Sequence, residues 1–163
     1  ADPHPGNYLF EEDGRVGLLD FGCVKRFDAH WIGAYARTAL SAIEGDRAAT
    51  VRAATDAGVW SGGSPAAEEL LWQFCDRLAA PFRLGQWTIG TDEGGVIREL
   101  ADLGTRLKWM GGIHVPPDIL YLHRSLGGIY TLARQLRPRA DWRAVVSPHL
   151  QYAVDVAAGR VVE

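Results

Sequence analysis

The only strand pattern in the chain lies in its first 22 residues, and it folds back on itself at once. Tyr8, Leu9 and Phe10 form one short apolar run, Arg15 to Leu19 form another, and Asp13-Gly14 lies between them. Asp-Gly between two such runs predicts a two-residue hairpin turn, because glycine accepts the positive φ that tight turns need. From Phe27 onward the punctuation is that of helix ends. These features together predict a mainly α fold with one N-terminal β-hairpin.

The helix boundaries follow from capping chemistry. Asp28 is placed to cap a helix running to about Glu44, with Gly45 as its stop. Asp46 caps the next, which ends near Gly58. Ser64-Pro65 supplies an N-cap followed by proline at the first helical position, and Glu68 and Glu69 suit that positive helix end. This helix is expected to end before Pro81, and residues 82–92 read as a loop rich in Gly and Thr. Asp92 opens a helix through about Lys108 that stops at Gly111-Gly112. Pro116-Pro117 starts the longest helix, to roughly Leu136. Asp141 and Ser147-Pro148 start two last pieces, and Gly159 ends the second.

Two of these helices carry a regular apolar stripe. Val96, Ile97, Leu100, Leu103 and Leu107 recur at three- and four-residue spacing, as do Ile119, Leu122, Leu126, Ile129, Leu132, Ala133 and Leu136. Packed core is expected of both, in preference to a membrane-surface face. Arg124 falls within the second stripe and is expected to be buried against an acid or a set of carbonyls. Gly127-Gly128 sits in mid-helix, where each glycine costs about 1 kcal/mol relative to alanine. Close approach of another backbone would account for it.

A chain of 163 residues is expected to form one domain, 1–163, with the loop, hairpin and Asp-Phe-Gly segment in 1–27 and helices in 28–163. Its 47% hydrophobic and 23% charged content fits a globular protein, and the net charge of -3 argues against a general nucleic-acid binder. Cys23 and Cys75 lack metal-site spacing and read as reduced structural thiols, which suits a cytoplasmic setting. No apolar run approaches the length of a membrane span and no signal peptide is visible. Residue 1 is Ala rather than Met, so either the chain was trimmed or its gene continues upstream.

The residues around the hairpin have a chemical order. Asp2 and Asn7 lie five apart, the hairpin follows, and Asp20-Phe21-Gly22 closes it. That is the order of parts in kinase-type phosphoryl transfer, which needs a carboxylate at the attacking hydroxyl and hard oxygen ligands for Mg²⁺. Asp20 offers an anionic ligand and Asn7 a neutral carbonyl oxygen, which leaves Asp2 to face the hydroxyl. Pro3 and Pro5 lock φ between them, and Gly6 is expected to supply the backbone angle that turns Asn7 inward. His4 is expected to hold the loop by hydrogen bonding. His114, His123 and His149 show no metal spacing and read as structural. No long activation segment separates Gly22 from the helix near Asp28, and no Ala-Pro-Glu follows, which favours a small-molecule or lipid substrate over a protein.

Ala-Asp-Pro-His-Pro-Gly-Asn at 1–7 and Leu-Leu-Asp-Phe-Gly at 18–22 resemble the UbiB/AarF family of atypical kinases. Val-Pro-Pro-Asp at 115–118 and Leu-His-Arg-Ser-Leu-Gly-Gly-Ile-Tyr at 122–130 resemble the long C-terminal helix of that family. The resemblance implies a protein-kinase-like C-terminal lobe lacking the N-terminal lobe, with ATP and Mg²⁺ as ligands. It implies Asp2 as the catalytic residue and Asn7 and Asp20 as metal and cofactor ligands. It also implies a link to isoprenoid-lipid or quinone metabolism. The family's nucleotide lysine, its partner acid, its Ala-rich loop and its Lys-x-Gly-Gln signature have no counterpart here. Lys25 and Lys108 are the only lysines and both follow the catalytic loop. The piece is therefore expected to be inactive alone, to need the N-terminal lobe as partner, and to expose some of its six tryptophans where that lobe would sit. A peripheral membrane location fits the same picture, and the high Ala, Arg and Trp usage suggests a bacterial source. The competing expectations are a non-catalytic scaffold or lipid-associated accessory module, and an aminoglycoside- or choline-kinase-like phosphotransferase.

Overall fold

The computed structural model describes residues 3–91 and 93–161, and of residues 93–95 and 97 only the backbone. Asp2, the expected catalytic carboxylate, and Asp92, the expected helix cap, lie outside the described residues. The described chain is mainly helical, with an N-terminal hairpin, and is consistent with a kinase-like C-terminal lobe. Strand β1 is Tyr8–Phe10 and β2 is Val16–Leu18. Helices α1 to α4 are Ala29–Glu44, Arg47–Asp56, Pro65–Ala79 and Glu93–Met110. Strand β3, Gln86–Thr88, precedes α4. Then come α5, Pro117–Leu136, strand β4, Arg139–Asp141, and α6, Trp142–Ala157.

The caps form where side-chain chemistry allows. Asp28 accepts from the Trp31 N–H at 3.0 Å, Asp46 from Ala49 at 2.9 Å and Asp141 from Ala144 at 3.0 Å. Ser64 accepts from Ala67 at 3.2 Å, with Pro65 as the first helical residue. Each bond satisfies an N–H that the first helical turn would leave unpaired. Gly45, at φ 79°, ends α1 in the left-handed region. The last α1 carbonyls find a partner that the sequence did not announce. The Arg83 guanidinium donates to Ala42 O at 2.6 Å and Ile43 O at 3.1 Å, and pairs with Asp76 at 2.6 Å.

Four expectations need correction. The turn between β1 and β2 spans three residues, with Glu11 and Arg15 still paired at 3.0 Å and Gly14 at φ 85°. Three-residue hairpin loops that end on a left-handed residue are among the commonest after the two-residue turns, and Gly14 supplies that residue. Residues 82–92 are not all loop, because β3 pairs antiparallel with β4, Trp87 opposite Ala140. Each strand is too short to show a period, and a partner fifty residues away selects the conformation. Ser147-Pro148 does not start a second piece; Pro148 lies inside a continuous α6. Proline removes one helical hydrogen bond, and packing against α1 along the helix offsets that loss. The α5 stripe is not core: of its residues only Ile119, at 8% exposure, is buried, while Leu126, Ile129 and Leu136 face solvent.

The core sits between the other helices. Ala54, Trp60, Ala67, Leu70, Leu71, Leu103 and Leu107 form one cluster among α2, α3 and α4. Ala42, Ile43 and Ala79 form a second, joined by Phe82 and Leu150, and Cys75 touches both. A leucine fully buried in such a cluster contributes about 1.5–3 kcal/mol. Helix α1 packs on both α2 and α6, and α3 on α4. Neither the hairpin nor α5 shares these clusters; α5 meets the body where His123 packs on Tyr35 of α1.

Candidate active site

Local hydrogen bonds build the N-terminal loop. Pro5–Asn7 forms one 3₁₀ turn, and His4 closes it. The His4 Nδ1 accepts from the Gly6 N–H at 3.1 Å, and the His4 carbonyl accepts from Asn7 at 2.9 Å. The histidine holds the loop's shape, as expected. An accepting Nδ1 puts the proton of the neutral ring on Nε2. Gly6 plays a different part from the one expected. Its φ is not in the left-handed region; a Cβ there would lie 3.1 Å from the His4 Nδ1 and crowd the cap.

The β1–β2 ladder then brings Asn7 and Asp20 to one end of the hairpin. Tyr8 stands opposite Leu18, and the ladder extends one step further, with Leu19 N–H donating to the Asn7 carbonyl at 3.0 Å. Asn7 and Asp20 therefore leave the same end of the hairpin. The Asp20 Oδ1 accepts the Gly22 N–H at 2.7 Å, repeating the His4–Gly6 arrangement on the other strand. A carboxylate has about four acceptor positions, so one such bond leaves capacity for a cation. Asp20 is exposed and Asn7 half-buried. A carboxylate and an amide oxygen are the hard donors Mg²⁺ takes, so the pair fits that ion. Among the described residues no group of three or more His, Cys, Asp or Glu gathers as a metal cluster.

Two contacts tie these loops to α5. The Pro3 ring sits against Gly128, where any Cβ would overlap it. This accounts for one glycine of the mid-helix pair: the close neighbour is a proline ring, and Gly127 has open space around it. Lys25, three residues beyond Gly22, pairs with Asp118 in the first turn of α5. Its ammonium lies 5.5 Å from the Tyr121 ring centre and 6.0 Å from that of Phe27. A row of rings continues from there: Phe27 stacks on Trp31 at 5.5 Å, Trp31 on Tyr35 at 5.7 Å, and Tyr35 meets His123 edge-on at 5.8 Å. The Tyr35 hydroxyl lies 2.8 Å from His123 Nε2. Burial pushes the Tyr35 phenol up to about 12 and holds the His123 imidazole below its usual value. Arg124, expected to be buried, is exposed instead, because nothing among the described residues covers that side of α5.

The hairpin is uncovered too. Leu9, Phe10, Val16, Leu18 and Leu19 are all exposed, as are Phe21 at 69% and Val24 at 72%. Only residues 23–28 separate Gly22 from α1, so no activation segment intervenes.

This stretch is also the part of the chain that a known family accounts for. Residues 1–54 match the ABC1 atypical kinase-like domain. The match bears out the kinase-like resemblance read from residues 1–7 and 18–22. The ABC1 match takes in the loop, the hairpin, Asp20 and α1, and ends inside α2, so α5 lies beyond it. No curated protein matches the chain. Among the described residues no helix is long and apolar enough to cross a membrane. Lys25 and Asp118 were missed as a pair. A lysine just after Asp-Phe-Gly and an acid in the first turn of a distant helix give no sequence signal of contact.

Proposed function

We propose that this chain is one domain carrying the C-terminal half of an ABC1-type Mg-ATP phosphotransferase or ATPase site. Asp2 would orient the attacking hydroxyl and accept its proton, and Asn7 and Asp20 would hold Mg²⁺. When bound, the ion supplies charge stabilisation for the transferred phosphoryl group. The observation that carries this reading is the ladder bond between Leu19 N–H and the Asn7 carbonyl, which sends Asn7 and Asp20 off the same hairpin end. The ABC1 match over residues 1–54 supports it independently. An N-terminal lobe completes the site. The exposed apolar hairpin supports that partner, since a contiguous apolar patch marks a surface that another element covers. The short 23–28 link favours a small or lipid substrate of the isoprenoid or quinone kind, met by a cytoplasmic protein at the membrane surface.

The test is nucleotide binding by the 163-residue chain, followed with a fluorescent ATP analogue. Weak binding that requires Mg²⁺ and vanishes in Asp20→Asn is expected, with no hydrolysis above background. Binding indifferent to Mg²⁺, or unchanged in Asp20→Asn, refutes the site; turnover abolished by Asp20→Asn refutes the expected inactivity.

A further inference from the structure

The hairpin by itself is a poor frame for a metal site. Its strands are three residues each, and a lone two-stranded hairpin is at best marginal in water. Both of its faces are exposed. The ladder sets the spacing of Asn7 and Asp20 but does not fix the two loops that leave it. Magnesium asks for near-octahedral geometry at about 2.0–2.1 Å, so loosely held loops would forfeit affinity.

Helix α5 touches both loops. The Pro3 ring of the first loop seats on Gly128. Lys25 of the second seats on Asp118 and against Tyr121. Asp118, Tyr121 and Gly128 are three and seven apart, so they share one face of the helix. Ten residues at 1.5 Å rise put the two seats about 15 Å apart along a rigid element. His123 lies on another face and reaches Tyr35 of α1, so α5 is also tied to the helical body.

We propose that α5 is a positioning platform for the metal site: Gly128 seats the Pro3–Asn7 loop through the Pro3 ring, and Asp118 with Tyr121 seats the loop after Asp20 through Lys25. This rests on the metal-site reading above. It explains why a glycine stands in mid-helix at position 128 against its helix propensity. It also explains how α5, with Leu126, Ile129 and Leu136 of its apolar stripe in solvent, holds its place through a few specific contacts. Asp118 and Gly128 touch no reacting group; they act through the loops they hold.

Mn²⁺ titration of the 163-residue chain, read by the loss of the free-ion paramagnetic resonance signal, tests this. The original chain should bind Mn²⁺, and Asp20→Asn should abolish binding. Asp118→Lys and Gly128→Ala should each weaken it roughly tenfold or more, the scale of a lost supporting contact around a ligand. Lys25→Asp should restore affinity to the Asp118→Lys chain, and Pro3→Ala to the Gly128→Ala chain. Such pairwise rescue is not expected of generally destabilising changes. Absence of Mn²⁺ binding in the original chain removes the metal site and the platform with it. Binding that depends on Asp20 yet is unmoved by Asp118→Lys and Gly128→Ala overturns the platform alone. So does a loss that follows unfolding in circular dichroism and is not relieved by either second change.

Discussion

At the scale of single residues, the N-terminal region repeats one device. His4 and Asp20 each accept the N–H of a glycine two positions on, one at each side of the hairpin end. A bulkier residue at Gly6 or Gly22 would bring its Cβ to 3.1 Å from the accepting atom. Further along, His123 gives a pH prediction. Burial disfavours the imidazolium, so its folded pKa lies below 6.5. Between that folded value and 6.5 the unfolded chain binds more protons, and stability falls as pH drops through the window. Asp13 and Asp155 have carboxyls held below 3.8, so their contribution is lost only in stronger acid. The melting temperature should decline from pH 7.5 to 5.5, and His123→Gln should flatten that decline. Equal declines in the two chains would refute the assignment.

At the scale of elements, α1 and α6 form the closest packed pair. Gly33 is where their backbones approach, 3.3 Å separating its would-be Cβ from the Ala153 carbonyl, with the Ala157 methyl closer still. Helix propensity alone would favour Gly33→Ala by about 1 kcal/mol. Overpacking costs about 1–3 kcal/mol and should win. Gly33→Ala should therefore lower stability in urea melts, and Ala157→Gly added to it should recover part of the loss. A stabilised Gly33→Ala chain would show that the two helices can separate at little cost. The same interface explains why Pro148 is tolerated within α6.

At the scale of the molecule, the chain has a packed part and a lightly held part. Helices α1, α2, α3, α4 and α6 share the two buried clusters, whereas β1, β2 and α5 leave large apolar side chains in solvent. Trp109, at the end of α4, is 86% exposed, whereas Trp60 is buried at 4%. Regions with few buried contacts open at low free-energy cost. Native-state hydrogen exchange should be slowest in α1 and α3, which carry most of the buried residues, and much faster in the hairpin and α5. Equal protection of α5 and α1 would contradict this division.

How much of this was legible beforehand varied with the range of the interactions. The caps at Asp28, Asp46, Ser64 and Asp141, the stop at Gly45 and the hairpin itself follow from bonds between near neighbours. The ordering of Asn7 and Asp20 around the hairpin was likewise local. What failed was anything that depended on what lies across the gap. The apolar period of α5 resembles that of α4, yet Leu103 and Leu107 are buried while Leu126 and Ile129 are not. Periodicity reports that a face is suited to burial and is silent on whether a neighbour covers it.

By itself, then, the order of residues determined the helices, their ends and the position of the candidate ligands, because each rests on side chains and backbone groups only a few residues apart. Only the tertiary structure decided that Pro148 stays helical, that Trp87 finds a strand partner, and that Lys25 meets Asp118 while Pro3 meets Gly128. Those outcomes depend on groups far apart in the chain being brought within a few ångströms, and the favourable packing there outweighs local preference.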